Sequence, residues 1–128
     1  MNQRVGLDDG VCVKDNHILA GSIAEVVRRI RAADAELPIE VESRTLDDVD
    51  AALEVGVATV LVAAGPIDVV REAVRRSRGR AKIEVSGSVT LDRMTELAGT
   101  GAEHVSIAAL TQVTAPVELT FELARAAG

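Results

Sequence analysis

Hydrophobic and polar positions along this chain switch repeatedly between a period of two and a period of 3.6. Val11-Cys12-Val13 is a short apolar run ending at Lys14, which reads as a first strand over about Val11–Lys14. Ser22 to about Asp34 then places Ile23, Val26, Val27 and Ile30 on one helical face, with Ser22 and Glu25 in capping-box spacing. Ile39-Glu40-Val41-Glu42-Ser43 alternates strictly, so Ile39, Val41 and Ser43 share one strand face and the glutamates share the other. Thr45 with Asp48 opens a helix through Leu46, Val49, Ala52 and Leu53, closed by Gly56. Ala58–Ala63 is continuously apolar, the mark of a strand buried on both faces. Pro66 suits the first turn of a helix running to about Arg78 and ended by Gly79. Ala81–Ser86 is the next strand, Thr90–Ala98 a helix closed by Gly99 and Gly101, and Glu103–Ala108 a fifth strand. Beyond Pro116 two readings stand: a helix over Val117–Ala127 with Leu119, Leu123 and Ala126 inward, or a strand leading into one.

Strands separated by helices predict a run of βα units and hence a parallel α/β sheet. A closed eight-stranded barrel takes about 250 residues. A single domain of 128 residues with five strands is therefore either a small doubly wound sheet or a partial (β/α)8 barrel. The pattern alone leaves both open.

Composition narrows the chemistry. Phe121 is the one aromatic residue, so the core must be built from Val, Leu, Ile and Ala. A net charge of −6 argues against nucleic acid as a partner, because phosphate backbones call for a broad basic surface. No apolar run approaches the roughly 20 residues of a membrane span, and Met-Asn-Gln-Arg-Val-Gly lacks the apolar core of a signal peptide. Cys12 is alone, which excludes a disulfide framework and suggests a buried thiol in a cytoplasmic protein.

In a parallel sheet the polar residues after each strand collect at one end, where α/β proteins place their chemistry. Those residues are Lys14, Asp15, Asn16 and His17 after the first strand and Glu40 and Glu42 on the second. Ser86-Gly87-Ser88 follows the fourth strand and Ala108-Ala109-Leu110-Thr111 the fifth. Lys14 and Lys82 are the only lysines, and a lysine at a strand mouth is a mobile point charge suited to carboxylate or phosphate. The small-residue loops let backbone N–H groups approach an anion, although Ser-Gly-Ser by itself is more often a simple turn. Buried glutamates at 40 and 42 call for a metal, a ribose hydroxyl or a basic neighbour; on an edge strand they would simply be solvated. His104, within the fifth strand, reads as structural.

Taken in order, Asn2-Gln3-Arg4-Val5-Gly6-Leu7, Val13-Lys14-Asp15-Asn16-His17, Ile39-Glu40-Val41-Glu42, Glu84-Val85-Ser86-Gly87-Ser88 and Val105–Thr111 resemble quinolinate phosphoribosyltransferase over essentially the whole chain. The resemblance implies a C-terminal barrel portion of an enzyme of NAD biosynthesis. That enzyme converts quinolinate and phosphoribosyl pyrophosphate, with Mg²⁺, to nicotinate mononucleotide, pyrophosphate and CO₂. It implies that Arg4 holds a quinolinate carboxylate and Lys14 lies against the substrates' charge, with Asn16, His17 and Glu40 nearby. Glu42 would serve the ribose and, indirectly, the metal; Ser86, Gly87, Ser88, Ala108 and Ala109 would hold the 5′-phosphate. It further implies a homo-oligomer or a complementary N-terminal half that supplies more arginines and a lysine. Departures from the family pattern are Gln3 for histidine, Ala63 and Ala64 for an Asp-Asn pair, Ser88 for the second glycine of the phosphate loop, and Ala108 for the glycine of the next. A non-catalytic remnant and another phosphate-binding βα-barrel enzyme are the alternatives.

Overall fold

The structure, a computed structural model, describes residues 5, 6, 8–108, 114, 117 and 119–124. Its strands are β1 (Val11–Val13), β2 (Ile39–Ser43), β3 (Thr59–Ala63), β4 (Lys82–Ser86) and β5 (His104–Ser106). Between them run α1 (Asp15–Ile18), α2 (Ile23–Ala33), α3 (Leu46–Glu54), α4 (Ile67–Ser77) and α5 (Leu91–Ala98). The five strands are all parallel and lie in sequence order, β1-β2-β3-β4-β5.

That order decides between the two architectures left open above. A doubly wound sheet reverses direction at a switch point and carries helices on both faces. Here each crossover moves one strand onward in the same direction, and right-handed crossovers of that kind put every helix on one side. This is the winding of a barrel wall. The core agrees: Val13, Ile39, Val41, Val60, Val62 and Ile83 point to the side where they meet Ile23 and Val27 of α2, Val49, Ala52 and Leu53 of α3, and Ala73 of α4. Val85 continues that side against Val70, Val89 and Leu97.

The helix boundaries follow their caps. The Ser22 hydroxyl accepts the Glu25 N–H while the Glu25 carboxylate accepts the Ser22 N–H, and Thr45 and Asp48 repeat this at α3. Gly56, at φ 69, turns the chain out of α3. The polar stretch after β1 forms the short helix α1, with Lys14 as its extended N-cap. One expectation changes. Residues 119–124 carry neither helix nor strand, because a helix there would have no face to bury: Leu119 and Phe121 are 89% and 76% exposed. The rest of Val117–Ala127 lies mostly outside the described residues.

Candidate active site

Parallel pairing puts residues in register on the same face, so the partners define a second, polar face opposite the helices. Glu42, Leu61, Glu84 and His104 form one row across β2 to β5, and Lys14 extends it where β1 ends. Ala63, Ser86 and Ser106 form the row nearer the strand tips. Cys12, Glu40, Thr59 and Lys82 form the row below. β2 is an internal strand, which rules out solvated edge glutamates; both side chains are half-buried on this face.

Lys14 Nζ stands 4.0 Å from Glu42 Oε2, with the two side chains 57% and 38% exposed. A pair so open keeps its charges available to a ligand instead of committing them to each other. Glu42 and Ser86 are two strand spacings apart and two residues out of register, about 12 Å in all, which matches the reach of a sugar phosphate. Glu40, one pleat below, accepts from the half-buried Cys12 thiol at 3.6 Å, so the cysteine lines the polar face and is not sealed in the core.

After β4 the chain turns through Ser86-Gly87-Ser88 into α5, whose Thr90 cap accepts the Arg93 N–H. Gly87 has φ 143, and a Cβ there would sit 3.2 Å from the Ala64 Cβ. Glycine is thus required where the β3 and β4 loops touch. Arg93 clamps the same corner, donating to the Gly65 carbonyl and pairing with Glu96 at 2.7 Å. Ala108 follows β5 at this end, exposed. Arg4 and Ala109 lie outside the described residues.

The three polar residues after Lys14 bond within α1's own neighbourhood or to the C-terminal segment. His17 Nδ1 accepts the Lys14 N–H at 3.0 Å, which fixes the proton of the neutral ring on Nε2. The Asn16 amide donates to the Phe121 carbonyl and accepts the Leu123 N–H, each at 2.9 Å. That is the bonding a parallel strand residue would offer, so Asn16 holds the C-terminal segment at 121–123 against α1. Asp15 pairs with Arg44 at 3.6 Å beside it.

Glu84 is the main residue the sequence reading passed over. It is 6% exposed and accepts the Ser106 hydroxyl, tying β4 to β5 just below both small-residue loops. Lys82-Ile83-Glu84-Val85-Ser86 carried the signal, since it alternates as Ile39–Ser43 does. His104 shares this face. Among the described residues no group of three or more His, Cys, Asp or Glu is placed to hold a metal.

The profile of the family described as quinolinate phosphoribosyl transferase, C-terminal domain, matches residues 1–122. The chain belongs to this family. A nicotinate-nucleotide pyrophosphorylase (carboxylating) of Mycobacterium leprae is 35% identical over 127 residues, covering 96% of this chain and 45% of that protein. A probable enzyme of the same name from Synechocystis is 37% identical over 130 residues, covering 98% and 44%. The solved nicotinate-nucleotide pyrophosphorylase of Francisella tularensis superposes with a TM-score of 0.82 at 32% identity, over 86% of this chain and 40% of that one. The chain therefore spans less than half the length of these relatives. What it shares with them is the quinolinate phosphoribosyl transferase C-terminal fold. No helix among the described residues is long and apolar enough to cross a membrane.

Proposed function

We propose that this chain provides the phosphoribosyl pyrophosphate side of a quinolinate phosphoribosyltransferase site, completed by an N-terminal half or a second copy, in the cytoplasm. The observation that carries the reading is the open Lys14–Glu42 pair on the same polar face as the Gly87 bend. Displacing pyrophosphate from ribose places negative charge on the leaving group and positive charge on the sugar. Lys14 answers the first and Glu42 the second. The N–H groups of Ser86–Ser88 and Ala108–Ala109 hold the 5′-phosphate, and Arg4 holds a quinolinate carboxylate. Glu84 fixes the spacing of the two phosphate loops through Ser106.

Mg²⁺ fits this face in one way only. It prefers one or two carboxylates plus substrate phosphates, and Glu42 is the carboxylate at the mouth. Held beside Glu42, it would supply positive charge to offset that of the leaving group.

The deciding experiment mixes the chain with quinolinate, phosphoribosyl pyrophosphate and Mg²⁺, with and without the N-terminal portion of the Mycobacterium leprae relative. Nicotinate mononucleotide should form only in the complemented mixture. Lys14→Ala should lower that rate by about 100-fold or more, the scale of losing one charge-stabilising group. A specific observation favours a second reading, a non-catalytic remnant: Ala63 stands in register with Ser86, where the family pattern implies an acid. On that reading ribose 5-phosphate stabilises the chain but no mixture turns over.

A further inference from the structure

On the helix layer, where the chain leaves α4 for β4, α3 and the end of α4 border an open depression of about 590 Å³ lined by Asp50, Arg75, Arg76, Arg78 and Arg80. About 13 Å of strand separates Lys82, at this end of β4, from Ser86 at the other. The depression is therefore a different place from the candidate active site.

Two of the four guanidinium groups bind carboxylates. Arg75 binds Glu72 through Nε and Nη2, both at 2.6 Å. Arg76 reaches Glu72 through Nε at 2.9 Å, and Asp50 and the Leu46 carbonyl through Nη1 at 2.6 and 3.2 Å. Arg80 donates through Nη2 to the Arg76 carbonyl at 3.1 Å and through Nε to the Ser77 carbonyl at 3.4 Å. Each of these three has a terminal nitrogen left over. The Arg78 backbone N–H donates to the Val74 carbonyl at 3.3 Å, while its guanidinium has no hydrogen-bond or ion-pair partner among the described residues.

Charge at a helix C-terminus is the ordinary reason for arginines here, and it accounts for Arg80, which covers the last carbonyls of α4. It leaves the Arg78 guanidinium unpaired. That residue is the left-handed C-cap of α4 at φ 48, and Gly79 after it is left-handed too at φ 75. The turn thus carries a long cationic side chain to the lip of a depression already rich in positive charge, in a chain whose net charge is −6.

We infer that this depression binds a polyphosphate chain, with Arg78 as its mobile clamp and the leftover nitrogens of Arg75, Arg76 and Arg80 as its floor. Several phosphate groups in a row match several guanidinium forks at different heights; a single carboxylate would engage only one. The cavity volume suits a ligand of that size.

The test is isothermal titration of the full chain with tripolyphosphate, read alongside backbone amide shifts. One saturable event is expected, with shifts concentrated in residues 75–82. Arg78→Gly, which suits the backbone and so leaves the fold intact, should weaken it at least tenfold. Lys14→Ala should leave it unchanged, which keeps this inference separable from the active-site proposal. ATP in place of tripolyphosphate tells a free polyphosphate from a nucleotide: equal affinity assigns the site to the phosphate chain alone, and tighter ATP binding adds the nucleoside. Shifts confined to Ser86–Ser88, an Arg78→Gly chain that binds as tightly as the parent, or an acidic peptide that binds more tightly than either probe would overturn it.

Discussion

Two residues show how single atoms set the cost of the fold. The Ser43 hydroxyl is buried on the helix side of β2 without a hydrogen-bond partner among the described residues. A buried unpaired hydroxyl costs about 1–3 kcal/mol. Ser43→Ala keeps the small volume, so urea unfolding should show a gain of roughly 1 kcal/mol, whereas Ser43→Val would overfill the same site. Gly87 is the reverse case. Its φ of 143 strains any side chain, and a Cβ there would press on the Ala64 Cβ at 3.2 Å. Gly87→Ala should destabilise by more than about 1 kcal/mol and abolish any thermal shift given by ribose 5-phosphate, because the bend must open to admit it. A Gly87→Ala chain with native stability and undiminished ligand response would show the bend to be unimportant.

At the level of elements, the helices and strands were legible because their caps and periods are local. Ser22–Glu25, Thr45–Asp48 and the alternation of β2 all lie within a few residues of one another. What the sequence could not show was contact across distance. The role of Asn16 depends on residues 105 and 107 positions further along the chain. Nothing near Asn16 announces it, and a resemblance-based assignment to substrate gave it a different task. Asn16→Ala should therefore free the segment at 121–123, seen as faster protease cleavage there with little change in the unfolding midpoint. Glu84 was missed for another reason: a lone acid in an apolar strand stands out less than a pair.

The α3–α4 contact gives a prediction with a worked sign. Glu72 accepts from Arg75 and Arg76, and those hydrogen bonds pull its pKa from 4.5 down to about 2. Glu25, bonded to the Ser22 amide and hydroxyl, is also lowered. A depressed carboxylate pKa stabilises the fold above the unfolded value, and that contribution is lost as pH falls through the folded one. Between about pH 5 and 2 the chain should lose stability on acidification. Glu72→Gln should flatten that slope while lowering stability at neutral pH. An unchanged acid slope in urea titrations of the variant would count against the network.

Seen as a whole molecule, the chain is one wall of a barrel, and its two faces were unequally readable. The apolar face is written in the sequence as Val, Ile and Leu at strand period. That the other face would line a barrel interior was not, because period alone does not tell one-sided from two-sided helix packing; strand order does. The same order leaves β1 and β5 with a sheet neighbour on one side only among the described residues. Open edges invite pairing with other strands, and among the described residues no second sheet faces the polar side of this one. In sedimentation the isolated chain should therefore associate as its concentration rises, through edge pairing. Addition of the N-terminal portion of a relative should replace that association with a defined complex, because the same edges would then be filled. A chain that stays monomeric at every concentration, unfolds cooperatively and ignores the N-terminal portion would show that five strands close on themselves well enough. In that event the second half of the site must be sought in another protein surface.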